Sequence, residues 1–164
     1  MLPSCPSVSP QPCPPLQIAL LVEHPSLIAA DQRWVKRKLQ QLAKLAGVLT
    51  GELNVLIVND AAMRRWHFRH MKKRSTTDVL SFDLRAHPDE PLCADLVVCF
   101  DVALRQAKKR GHEPRLELLL YCLHGLLHML GHDDLTPADH QLMHQREDQL
   151  LTLAKLPAVY QLQP

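Results

Sequence analysis

The sequence has 164 residues, 46% of them hydrophobic, with 19 Lys plus Arg against 17 Asp plus Glu and a formal net charge of +2. That suits one globular domain, able to bury roughly two-thirds of the surface its unfolded chain would expose. No run of about 18 apolar residues occurs, which excludes a membrane-spanning helix, and so weak a net charge by itself says nothing about nucleic acid.

In chain order, the first segment is rich in proline: five of the thirteen prolines fall in MLPSCPSVSPQPCP, and Pro15 follows. It has no basic flank and no long apolar run, so residues 1–15 read as a disordered, partly extended tail rather than a leader peptide. Leu16 to Val22 reads as a strand. Leu27, Ile28, Trp34, Val35, Leu39, Leu42, Leu45 and Ala46 then trace a helical stripe that Gly47 ends. Glu52 to Val58 is a second strand. Asp60 is placed to cap a short helix, which runs into six Lys or Arg residues and two His between Arg64 and Arg74 without an acid.

Val79 to Phe82 and Leu96 to Phe100 read as two more strands, separated by a loop with Pro88 and Pro91. Asp101 is expected to cap a helix ending in Lys108, Lys109 and Arg110, cations that suit the negative end of its dipole. After Pro114 comes RLELLLYCLHGLLHML, apolar on nearly every side and therefore a core helix closed by Gly131. Thr136 and Pro137 open a terminal amphipathic helix, and Thr136-x-x-Asp139 resembles a capping box. The order predicts an α+β fold, a mixed four-stranded sheet packed with about five helices, as one domain over residues 16–156 with residues 157–164 frayed. The five cysteines (Cys5, Cys13, Cys93, Cys99 and Cys122) form no C-x-x-C pair, and the last three sit in apolar runs. Reduced, buried thiols and a cytoplasmic setting follow.

His124 and His128 stand four apart on the core helix, so both imidazoles project from one face, close enough to converge on one zinc ion. A hydrogen-bonded pair of core histidines is the bland alternative, but two imidazoles on an apolar helix leave several polar atoms in need of partners. Gly131 can take a left-handed conformation and reverse the chain, which makes Asp134 the favoured third ligand in an H-x3-H-x5-D pattern. His132, His140 and His144 are competitors. Three protein ligands leave a fourth position for water, whose pKa a catalytic zinc lowers to about 7. A zinc protease of the H-E-x-x-H kind would carry a Glu general base after the first His, where this chain has Gly125.

His124 to Asp134, HGLLHMLGHDD, resembles the H-G-x-L-H-L-x-G-Y-D-H signature of the YbeY family of metal-dependent endoribonucleases. Thr77 to Phe82 (TDVLSF) matches the family's T-D-V-L-S-F strand. Asp95-Leu96-Val97-Val98, with the helix ending in Gly111-His112, matches its G-D-I-V-I strand and the helix after it. The resemblance implies a zincin-like metal helix, a single zinc ion and cleavage of single-stranded RNA. It also implies a role in ribosomal RNA maturation at the 3′ end of 16S RNA and in ribosome quality control, with the small ribosomal subunit as partner and no membrane or nucleotide cofactor. His124 and His128 carry over as ligands. The family's usual third ligand is His where this chain has Asp134, and its usual Tyr is His132 here. An Arg that precedes the family's strand falls on Met71, leaving Arg69, Lys72, Lys73 and Arg74 as the cations for RNA phosphates. Trp66 and Phe68 could stack on bases, although a place in the core suits them better. The alternatives are a metalloprotease-like hydrolase and a non-catalytic RNA- or ribosome-binding module with structural zinc.

Overall fold

The computed structural model describes residues 14–160, so the prolines and cysteines of residues 1–13 lie outside the described residues. The elements run β1 (Gln17–Val22), α1 (Ala29–Leu45), β2 (Gly51–Val58), α2 (Asp60–Met71), β3 (Val79–Asp83), β4 (Leu92–Cys99), α3 (Phe100–Arg110), α4 (Pro114–Met129) and α5 (Pro137–Leu153). They form the expected α+β architecture: a mixed sheet of order β1-β2-β4-β3, parallel except for the antiparallel β3–β4 pair.

Alternation along the strands sends side chains to two faces. Leu53, Val55 and Ile57 of β2, with Ala94, Leu96 and Val98 of β4, join the main core, where α1 and α4 supply Leu39, Leu42, Leu119, Leu123 and Leu126. Val58, Val97 and Cys99 face the other way, onto Ala62 and Met63 of α2. α4 is buried along nearly its whole length, from Leu116 to Leu127, as an all-round apolar helix must be.

Several boundaries differ from the sequence reading, each for a local reason. β4 begins at Leu92, because Cys93 and Asp95 pair with Glu52 and Asn54 of β2 while Leu92 and Ala94 point inward. Polar residues on the outer face hid that half of the strand. Phe100 opens α3 rather than closing β4. Asn59, not Asp60, caps α2, its side chain accepting from the Ala62 N–H at 2.9 Å. Asp101 caps no helix of its own. Its carboxylate accepts the Asp60 N–H at 2.7 Å, an orphan donor of the first turn of α2, and pairs with His24 Nε2 at 3.0 Å.

Asp60 binds Arg105 through two short contacts of 2.6 and 3.0 Å, and the guanidinium holds its carboxyl down to about 2. Thr136 caps α5 as expected, accepting from Asp139 N at 3.1 Å. Cys99 and Cys122 are buried free thiols, and burial pushes Cys122 up to about 12.

At the chain ends, Pro14 accepts from Gly51 N and Pro15 pairs with Thr50, so the last residues of the expected tail lie against β2. Residues 157–160, expected to fray, are tied to α5: Val159 and Tyr160 both donate their N–H groups to the buried Asp148 carboxylate, at 2.7 and 3.2 Å. Among the described residues no helix is long and apolar enough to cross a membrane.

Candidate metal centre

The centre is built where α4 ends. Leu130 is the last half-helical residue, and Gly131 follows at φ +89°, a conformation open to glycine at no steric cost. Gly131 N–H bonds to His128 O and His132 N–H to Leu127 O, the paired bonds of a Schellman turn. The turn sends the chain back across the last turns of α4. Asp134 Oδ2 thereby lies 3.3 Å from His124 Nε2 and 3.7 Å from His128 Nε2, while the two Nε2 atoms are 3.0 Å apart.

Chemistry of the three atoms favours a cation between them. His124 Nδ1 is 2.8 Å from Glu147 Oε1 and His128 Nδ1 is 3.0 Å from the His132 carbonyl oxygen. Both partners only accept, so each Nδ1 must carry its proton. With that proton on Nδ1, the nitrogen left on each ring to act as an acceptor is Nε2, and the two Nε2 atoms face each other and the Asp134 carboxylate. A proton could reconcile one such pair, but a metal ion reconciles all three. Tetrahedral coordination at about 2.0–2.1 Å sets ligand atoms about 3.3 Å apart, close to the three separations here. His124, His128 and Asp134 thus form one group able to hold a metal ion.

Glu147 supports that group from α5. It is fully buried and receives the Nδ1–H of both His124 and His144, each at 2.8 Å. Burial alone would raise its carboxyl, and the two imidazoles reverse this, leaving it lowered. At His124 burial works downward, and Glu147 outweighs it, with Asp78 and Asp134 adding to the rise. Glu147 escaped the sequence reading. The available signal was its place on the buried stripe with Met143, Leu150 and Leu151, where a carboxylate needs a partner.

A cavity of about 550 Å³ opens beside the group, walled by His124 and Asp134 and by Asp78, Arg110, Tyr121, His140, His144 and Tyr160. His140 and His144 therefore border the cavity rather than join the three donor atoms. His132 contributes its backbone carbonyl to His128. Arg110, read in the sequence only as a helix-end cation, is the one Lys or Arg among these lining residues. It pairs with the buried Glu117 at 2.8 Å and lies 5.1 Å from the Tyr160 ring centre.

The expected RNA cations sit elsewhere. Arg69, Lys72, Lys73 and Arg74 are exposed at and beyond the end of α2, and none lines the cavity. Phe68 is 47% exposed rather than in the core, with Lys72 and Arg74 about 6 Å from its ring. Trp66 is half-buried and packs beside the second core cluster.

Gly125 faces the sheet: a Cβ there would come within 2.8 Å of Leu96 Cδ2 and 2.9 Å of Ser81 Oγ. At position 125 the helix therefore passes close over β3 and β4, and a side chain there would have to displace Leu96 and Ser81. Ser81 of the TDVLSF stretch packs at that crossing, and Asp78 lines the cavity.

Comparison with known proteins gives a consistent result. The family model described as Endoribonuclease YbeY matches residues 22–155. A protein of Thermobifida fusca named endoribonuclease YbeY is 34% identical over 142 residues, covering 77% of this chain and 92% of that protein. One of the same name from an Anaeromyxobacter species is 37% identical over 136 residues, covering 82% and 70%. The solution structure of TM1509 from Thermotoga maritima matches with a TM-score of 0.62 at 22% identity, covering 84% of this chain and 89% of that one, a likeness of fold.

Proposed function

The chain belongs to the endoribonuclease YbeY family, hydrolases of RNA phosphodiester bonds, and from that premise we propose that it cleaves single-stranded RNA at a single zinc ion held by His124, His128 and Asp134. The observation that carries the zinc site is the convergence of three acceptor atoms, two of them on imidazoles whose Nδ1 protons are committed elsewhere. Two nitrogens and one carboxylate oxygen suit zinc, and three protein ligands leave a position open. Bound there, zinc would lower the pKa of water and stabilise negative charge on phosphoryl oxygens.

The protein's own groups do the rest. Glu147 and the His132 carbonyl fix the tautomers and orientations of the two imidazoles. Arg110 places a guanidinium in the cavity wall where a phosphate of the RNA backbone can lie. The exposed cations of residues 64–74, with Phe68 among them, give RNA a further surface of contact outside the cavity. Ribosomal RNA as substrate, the small ribosomal subunit as partner and ribosome quality control rest on the family resemblance, and a cytoplasmic setting rests on the free cysteines.

Gly125 weighs against peptide hydrolysis, because the position of a zinc protease's general base is pressed against Leu96 and Ser81. The open cavity beside the donor atoms weighs against a purely structural zinc, which takes four closed ligands. Incubating zinc-loaded protein with single-stranded RNA, duplex RNA and casein tests the reading. We expect cleavage of the single strand alone, abolished by chelation; casein cleavage without RNA cleavage would overturn it.

A further inference from the structure

We propose that His144 is a further catalytic residue of this centre, the group that hands a proton to the oxygen leaving phosphorus; the inference rests on the RNA-cleaving reading above. The three donor atoms account for the nucleophile's side of the reaction, and nothing in that group protonates the leaving ribose oxygen. His144 is placed for that task by three independent contacts.

Its Nδ1 donates to Glu147 Oε2 at 2.8 Å, and the other oxygen of the same carboxylate receives Nδ1–H of His124. One fully buried carboxylate thus aligns a metal-holding imidazole and a free one. The Tyr160 ring stacks on His144 at 3.5 Å between centres and 20° between planes, and His140 meets it edge-on at 4.1 Å. Tyr160 is held in turn by Asp148 through its backbone N–H. With Nδ1 engaged, Nε2 is the one ring atom left to act. It has no hydrogen-bond partner among the described residues, no buried side-chain nitrogen lacks one, and the ring lines the cavity that His124 and Asp134 also wall.

The bland alternative is an i,i+3 pair that only ties His144 to Glu147 along α5. That would not require the second nitrogen to border the cavity, nor one carboxylate to serve both rings. The groups against the imidazole are Glu147, His140 and Tyr160, and Arg110, Asp78, His124 and Asp134 line the same cavity. Giving up a proton at Nε2 while Nδ1–H stays on Glu147 leaves the ring as the neutral Nδ1–H tautomer that this contact already selects.

In the step, a water oxygen bonds to phosphorus and the water's surplus proton passes to solvent. The bond from phosphorus to the leaving ribose oxygen breaks with its electron pair on that oxygen, which takes the Nε2 proton. Neutral His144 then regains a proton from solvent.

The test uses His144→Gln in the full chain, zinc-loaded, against RNA and against bis(p-nitrophenyl) phosphate, whose leaving phenolate needs no proton. We expect kcat on RNA to fall by about 10²–10⁴, the span of general acid–base contributions, and the activated diester to lose no more than about threefold. The alkaline limb of the RNA pH profile should disappear while zinc per chain stays unchanged. In the metal-free wild type, nitrogen NMR should find the His144 proton on Nδ1. Equal losses on both substrates, zinc lost in step with activity, unchanged RNA cleavage, or an Nε2–H-only tautomer would each overturn the inference. His144→Asn provides the same comparison should the Gln variant misfold. Wild-type protein that hydrolyses the activated diester but not RNA would instead overturn the RNA reading together with this inference.

Discussion

Glu147 has no exposed surface, yet both of its oxygens are occupied by imidazole N–H groups from two helices. A buried carboxylate of this kind is tolerated only when its lone pairs are met, and here meeting them also sets the tautomers of His124 and His144. Glu147→Gln keeps the shape but replaces one acceptor with an amide N–H donor. One imidazole must then turn its lone pair inward, and for His124 that removes the Nε2 lone pair facing His128 and Asp134. Zinc affinity, measured by competition with a chromophoric chelator, should fall by about 10–100-fold, the usual effect of losing such a partner. Affinity within error of wild type would show that His124 keeps its tautomer without the carboxylate. The histidine pair was legible in the sequence because helical spacing alone puts i and i+4 on one face. Glu147 was not, because its partners come from another helix and from a turn of its own.

Among the elements, α4 is the one the sequence specifies most completely. Its apolar faces, its Pro114 start and its Gly131 stop agree with one another, and the resulting turn returns Asp134 to the two histidines. What periodicity missed lies at strand edges and caps. The first half of β4 is polar on its outer face, and the acids expected to cap α2 and α3 instead bind Arg105, His24 and a neighbouring helix N-terminus. Long-range pairing decided those cases, and no local pattern carries it. Gly125 likewise reads locally as a weak point in a helix, whereas the fold uses it for close approach to Leu96 and Ser81. Gly125→Ala therefore sets a helix-propensity gain of about 1 kcal/mol against overpacking of about 1–3 kcal/mol. Because Leu96 is itself buried at 1% exposure, overpacking should win by about 1 kcal/mol in urea unfolding. A more stable variant would show that Leu96 has room to move.

At the scale of the molecule, the sheet order β1-β2-β4-β3 brings β3 and the end of β4 under α4, so the cavity lies between α4, α3 and α5. That arrangement separates two groups of cations that RNA could meet, Arg110 at the cavity wall and the exposed residue 64–74 cluster along and beyond α2. The sequence showed the cluster as a run of charge and gave no sign of Arg110's place, which depends on Glu117 from α4. The central claim, that His124, His128 and Asp134 hold one zinc on which RNA cleavage depends, is tested by measuring zinc per chain and RNA cleavage together in wild type, Asp134→Ala and His132→Ala. Wild type should hold one zinc and cleave. His132→Ala should do the same, since only its backbone carbonyl serves His128, while Asp134→Ala should lose zinc and cleavage together. An Asp134→Ala protein that keeps its zinc, or a His132→Ala protein that loses it, would contradict the account.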